Sequence, residues 1–349
     1  MATERRCIFL KKVVNFTGLL LLFLFSVNTL SVGAAEKASD GKQYVYLGGQ
    51  PFGVKFYNDG VMIVRLEEYF SGHRFICPAQ KGGLKVNDVI KKVNREEIRT
   101  NEDLQRAAEQ SDGKPLEIVI ARDGKELSKT VTPEKNTVGV YLLGAWVRDS
   151  CAGVGTVTYY DAQQHYFAAL GHGICDRDTG ALLPLGSAEI VNASISSVTK
   201  GTAGSVGSLN GYFTDKSIGH LTKNTQSGVF GTLFDNNCEK NPQYEIAGFE
   251  EIHPGKAEMI TTIDGVDPQA YDIEITRICN GDKESDENFV IKVTDKELLG
   301  NCAGIVQGMS GSPILQDGKL VGAVTHVFLN RPDEGYGVAA QFMVSNYWE

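Results

Sequence analysis

The 349-residue sequence has no C-x-x-C pair and no histidine at metal-finger spacing, so neither a zinc ribbon nor a thioredoxin-type redox motif is present. No metal or cofactor is expected. A basic excess is also missing: 34 Lys and Arg stand against 43 Asp and Glu, a net charge of -9, which sets nucleic acid aside as a partner. Four of the cations and one acid fall in the first 35 residues, leaving -12 for the remainder. The seven cysteines, at 7, 77, 151, 175, 238, 279 and 302, are odd in number and make a poor disulfide framework for so long a chain. They read as isolated small apolar residues, with one or two bridges among the last five left open. No glycine-bracketed helix recurs between the apolar runs of the C-terminal region, which argues against a doubly wound α/β sheet.

What is present is ample apolar content, 42% of residues, in a length that suits about two domains. Disorder is excluded. Glycine, 39 residues or about 11%, exceeds the roughly 7% of ordinary globular chains and favours short strands with tight turns. Arg5, Arg6, Lys11 and Lys12 precede an uncharged run from Phe16 to Val32, so residues 1–35 read as a signal or anchor segment. The cations on its N-terminal side leave that end in the cytoplasm and export everything after it. At about 17 residues the run is short for a spanning helix, and Val32-Gly33-Ala34 is a tolerable cleavage site, so anchor and cleaved signal both remain open.

Residues 44–135 open with alternating apolar and polar positions, the pattern of half-buried strands. A helix follows, with Leu104, Ala107 and Ala108 on one face and Thr100 with Asp103 as its capping pair. A last pair of strands turns at Asp123-Gly124. The glycine loop Gln50-Pro51-Phe52-Gly53-Val54, the block from Pro78 to Ile90, and the closing strand pair make this segment resemble a PDZ domain of the kind attached to exported bacterial proteases. In such domains a peptide adds to a sheet edge and loop N–H groups receive its carboxylate. The resemblance implies that Phe52, Gly53 and Val54 line that site.

Residues 140–349 are a succession of short apolar runs broken by Gly, Asn, Asp and Ser, which fits an all-β domain of two small packed barrels. Two segments carry chemistry. In Ala169-Leu170-Gly171-His172-Gly173, a histidine ends an apolar strand between glycines. In Gly308-Met309-Ser310-Gly311-Ser312-Pro313, a serine sits among glycines whose backbone N–H groups can face a developing oxyanion. The second pattern resembles the nucleophile loop of chymotrypsin-like proteases, and His before Ser at a separation of 138 residues matches their order; the reverse order would suggest an α/β-hydrolase. The resemblance implies Ser310 as nucleophile, His172 as base, and the N–H groups of Gly308 and Ser310 as oxyanion hole. Met309 stands where trypsin-like enzymes have the acid of their zymogen switch, so that switch is not expected.

With RDSCAGVGTVTYYD, ALGHGICDRDTG, KGTAGSVGSL and GIVQGMSGSPILQDGKLVGAVTHVFLN, the chain from about residue 44 onward resembles the SpoIVB peptidases of endospore formers. That family implies a mainly β chain of membrane segment, PDZ-like domain and chymotrypsin-like double-barrel serine peptidase domain. It also implies an enzyme exported from the forespore that is membrane-anchored, then released by self-cleavage into the space between forespore and mother cell. There it cuts a membrane-bound inhibitor of the stage IV sporulation protein FA type, so that the mother-cell protease processes pro-sigma-K. Its partners are thus protein substrates including itself, and the membrane. Asp295, fifteen residues before Ser310, sits where the family has an acid important for activity. Chymotrypsin-like folds take the orienting carboxylate from the first barrel, where Asp176, Asp178 and Asp215 are the alternatives. A cysteine nucleophile at Cys175 is disfavoured, because the oxyanion glycines surround Ser310 instead. Two other functions stay in view: an inactive membrane-anchored PDZ adaptor, and a general quality-control protease.

Overall fold

The computed structural model describes residues 42–348 except 164, 236 and 280, so the segment 1–35 lies outside the described residues. The described chain from Gln43 onward is one compact unit. Its alternating sequences become strands as expected. In Gln269–Ile278, for instance, Tyr271, Ile273 and Ile275 are buried while Asp272, Glu274 and Thr276 face out, the two-residue period of a sheet with one wet face.

Strand β1 (Pro51–Leu66) is long and belongs to two bodies. Its C-terminal half pairs with β2 (Val89–Val93), which continues through β3 (Leu116–Arg122) to β4 (Lys125–Val131). Helices α1 (Pro78–Lys81) and α2 (Asn101–Gln110) complete this module over a core that includes Ile63, Leu84, Ile90, Leu104, Ile118 and Ile120. The Thr100 hydroxyl accepts from Asp103 N and the Asp103 carboxylate accepts from Thr100 N, both at 3.1 Å, which satisfies two of the N–H groups a helix start leaves orphaned. Between β3 and β4, Asp123 and Gly124 have φ of 51° and 73°, the two left-handed residues a tight hairpin turn requires. Asp88 is buried and held by Arg122 through two bonds of 2.6 and 2.7 Å.

The N-terminal half of β1 runs instead into a barrel with β5 (Ala145–Asp161), β6 (Tyr166–Ala169), β7 (Leu185–Thr199), β8 (Ser208–Thr225) and β9 (Gly228–Leu233). The pairings close a ring in the order β1, β5, β6, β9, β8, β7 and back to β1. Phe52, Phe56, Phe167 and Ile190 fill it, Phe52 meeting Phe167 edge-on at 6.2 Å. A second closed barrel follows: β10 (Gly255–Thr261), β11 (Gln269–Ile278), β12 (Phe289–Val293), β13 (Pro313–Gln316), β14 (Lys319–Phe328) and β15 (Arg331–Ala339). Helix α3 (Lys296–Cys302) lies between β12 and β13, and α4 (Ala340–Trp348) ends the chain.

This arrangement corrects the reading of Phe52, Gly53 and Val54 as a carboxylate loop. All three lie inside β1, opposite Gly155, Val154 and Gly153 of β5 on one side and Asn192, Val191 and Ile190 of β7 on the other. Both edges of the strand are therefore occupied, and no peptide can add there. A Cβ on Gly53 would stand 2.5 Å from the Phe213 ring and 2.7 Å from Val191, so the glycine serves close packing of the barrel. The stretch from residue 44 to 58, placed by sequence in the PDZ-like segment, runs with the first barrel.

Candidate active site

The nucleophile loop is built by anchoring its carbonyls. Thr156 of β5 donates its hydroxyl to Gly308 O at 2.8 Å and its N–H to Ser310 O at 3.0 Å, and the Thr158 hydroxyl donates to Gly311 O at 2.8 Å. From the second barrel, Val324 O accepts from Gly311 N at 2.8 Å. Gly311, at φ 93°, has Thr156 O where a Cβ would come within 2.1 Å, so only glycine fits this close passage of three backbones. Met309 is fully buried in the core of the second barrel, which explains an apolar residue at that position. The N–H groups of Gly308 and Ser310 meet no acceptor among the described residues. Two unpaired donors on a loop with fixed carbonyls have the make-up of an oxyanion hole.

His172 follows β6 after a sharp bend in which Leu170 and Gly171 both take positive φ, 67° and 71°. Together with Ser310, Gly308, Cys175, Thr325 and His326 it lines one cleft of about 480 Å³ between the barrels. The His172 Nδ1–H donates to Gly173 O at 2.8 Å, which leaves Nε2 as the unprotonated, accepting nitrogen. Burial, then the neighbouring charge of His326, pushes this imidazole below its ordinary value. Ser310 Oγ donates to Thr325 O at 2.9 Å. No hydrogen bond joins Ser310 to His172 among the described residues, so the pair shares a cleft with the hydroxyl turned to the backbone.

The acid candidates are placed elsewhere. Asp295 is the N-cap of α3, its Oδ1 accepting from Leu298 N at 2.9 Å, and it does not line the cleft. Asp176 is buried and committed to Arg148 and to the N–H groups of Asp178 and Thr179, the pattern of a loop-forming carboxylate. Asp178 is exposed and also pairs with Arg148, at 2.6 Å. The side chain of Asp215 lies outside the described ones. His326 lines the cleft instead, bonded to Asp286, which does not line it. The His326 ring stacks on that of His172 with centroids 4.9 Å apart and planes tilted 25°, and its Nε2 bonds Asp286 Oδ2 at 2.9 Å. The Asp286 bond raises the His326 imidazole above its ordinary value, against the effect of burial. In sequence His326 is marked only by following the strand after the nucleophile, and Asp286 sits in the acidic stretch GDKESDEN, which carries no motif.

Among the described residues no His, Cys, Asp and Glu cluster could hold a metal ion, and none of the six described cysteines is in a disulfide. Cys175 lines the cleft but its thiol is pushed up by burial and by Asp286 and Asp176, the opposite of an activated nucleophile.

Comparison with known proteins agrees with this chemistry. The family described as SpoIVB peptidase S55 matches residues 139–344, and a PDZ domain matches residues 77–122. A curated relative, the probable protease eep of Enterococcus faecalis, is 40% identical over 67 residues, 19% of this chain and 16% of its own length, so this chain spans about a sixth of that protein. Among solved structures, the Rv3671c protease in its inactive form is similar at TM-score 0.33 and 10% identity, over 55% of this chain and 81% of that one. The HtrA-type protease AlgW with a decapeptide is similar at TM-score 0.32 and 12% identity, over 61% and 57%. With the family's match spanning more than half of its length, the chain belongs to the SpoIVB peptidase family.

Proposed function

We propose that this chain is an exported, self-processing serine endopeptidase of sporulation. It begins at the membrane through residues 1–35, releases itself by cleaving its own chain, and then cuts a membrane-bound inhibitor so that pro-sigma-K is processed. The observation that carries the catalytic role is the convergence in one cleft of Ser310, an Nε2-accepting His172, and two N–H groups that meet no acceptor among the described residues. The sporulation role rests on the family alone.

In this mechanism the Ser310 hydroxyl leaves Thr325 O and turns to His172 Nε2. As Oγ attacks the scissile carbonyl, its proton passes to Nε2, and the N–H groups of Gly308 and Ser310 bind the oxyanion. The imidazolium keeps its Nδ1–H bond to Gly173 O and then protonates the departing amine. Water enters the acyl-enzyme by the same route in reverse, with His172 again the base. A carbonyl in place of the usual carboxylate fixes the tautomer but supplies less charge to the imidazolium.

A second reading has one observation in its favour: Ser310 bonded to backbone, not to His172, is also what an inactive PDZ adaptor would retain. The full chain and its Ser310→Ala variant, expressed side by side and mapped by mass spectrometry, separate the two. Self-cleavage fragments confined to the wild type are expected; identical fragment patterns would sink the peptidase proposal. Cleavage at a few defined sites, with unfolded casein left mostly intact, is expected over the broad digestion of a quality-control protease.

A further inference from the structure

His326 and Asp286 form a unit that the catalytic roles assigned above leave unused. Asp286 holds two consecutive residues of β14: its main-chain oxygen accepts from the Thr325 hydroxyl at 2.8 Å, and its carboxylate accepts from His326 Nε2 at 2.9 Å. Each of those residues in turn holds one catalytic group. Thr325 O receives the Ser310 hydroxyl, and the His326 ring covers the face of His172. The two rings are nearly parallel, and neither His172 nitrogen is spent on the contact. Stacking therefore limits the swing of His172 without competing for the Nε2 lone pair.

The charges fit the same role. Burial raises the Asp286 carboxyl, but the His326 bond and the charges of His326 and His172 outweigh it and hold it low. His326, half-exposed, faces Asp286 and Glu287 from the 281–288 loop and His172 from the 170–175 loop. Asp286 also faces the Cys175 thiol. An imidazolium paired with Asp286 and stacked on His172 repels a second positive charge there, so it favours the neutral base.

We infer that His326, clamped by Asp286, is a positioning residue of the peptidase that holds the His172 ring in register with Ser310 and keeps it unprotonated. The inference rests on the serine peptidase reading, but its test separates the two. In the full chain, the rate at which a fluorophosphonate probe labels Ser310 is followed against pH. His326→Ala slows labelling about tenfold at pH 7 and moves the acid limb to higher pH, because the His326 charge is gone and Asp286 is left facing His172. His326→Phe restores a ring without a charge: it recovers most of the rate and retains the displaced limb. Thermal unfolding of each variant checks that the barrels remain folded. An Ala variant with the wild-type rate and limb overturns the inference, as does a loss that Phe does not recover with the limb unmoved. If the wild type itself is not labelled, the peptidase reading fails. The inference is then decided by NMR titration of His172 in the full chain, where His326→Ala must raise its midpoint; an unchanged midpoint overturns it.

Discussion

The Ser310 hydroxyl donates to Thr325 O at 2.9 Å while the base beside it, His172, donates from Nδ1 to Gly173 O at 2.8 Å. Nucleophile and base are thus each tied to main chain within one cleft. Because burial and the charge of His326 push His172 below its ordinary value of 6.5, the base stays neutral to lower pH than an exposed histidine would. The acid limb of kcat/KM for Ser310-dependent hydrolysis is expected to have its midpoint below pH 6.5. A midpoint at or above that value would contradict the site as described.

Gly311 and Gly318 both take positive φ, 93° and 77°, but in different company. A Cβ at Gly311 meets Thr156 O at 2.1 Å and Leu170 N at 2.4 Å, whereas nothing lies within 4 Å at Gly318. Gly318→Ala is expected to cost about 1 kcal/mol, the left-handed strain alone. Gly311→Ala must also push neighbouring backbones away from the nucleophile loop, and a loss of about 3 kcal/mol or more with loss of labelling at Ser310 is expected. Urea unfolding of the two variants measures the difference; equal midpoints would refute it.

How much of this was legible in the sequence depended on range. The α2 capping pair at Thr100 and Asp103 and the turn at Asp123-Gly124 are set within four residues, and both formed as read. The motifs at His172 and Ser310 likewise marked one cleft, because glycines beside a polar residue are a local signature of close backbone approach. The failures were tertiary. Gln50 to Val54 looks locally like a glycine loop, yet the pairing of β1 with both β5 and β7, some 100 and 140 residues away, makes it barrel interior. Asp295 is a good helix cap by local chemistry, and that is how its carboxylate is used, while the Asp286–His326 bond spans 40 residues and left no periodic or motif trace.

Gly53 gives that correction a measurable form. A carboxylate loop at this position would lose recognition on substitution and keep small-peptide hydrolysis. The barrel interior predicts otherwise: Gly53→Val drives a side chain into Phe213 and Val191, and folding and hydrolysis fall together by overpacking, at about 1–3 kcal/mol. Hydrolysis at the wild-type rate with an unchanged unfolding midpoint would restore the loop reading.

In the PDZ module, Asp88 is 1% exposed and its two oxygens are taken by Arg122, with Lys85 N adding a third bond at 2.7 Å. Asp88→Ala leaves a half-buried guanidinium without its partner and the Lys85 N–H unanswered, so a loss of about 3 kcal/mol is expected. Because β1 is shared with the first barrel, the loss is expected to appear in the unfolding of the whole described unit, not in a separate early transition; a distinct early transition in calorimetry would show that the module unfolds alone.

Asp295 can be assigned by two substitutions that distinguish its possible roles. As the N-cap of α3 it needs only a short side-chain acceptor for Leu298 N, which asparagine supplies as well as aspartate. As the partner of a catalytic histidine it would need its charge, and the amide would cost about 10⁴ in kcat. With the carboxylate bonded into its own helix, Asp295→Asn is expected to keep kcat within about tenfold and to fold normally. Asp295→Ala is expected to lose about 1 kcal/mol of stability through the missing cap. A collapse of kcat in the folded Asn variant would return the triad role to Asp295, and would require α3 to uncap during catalysis so that the carboxylate could reach His172.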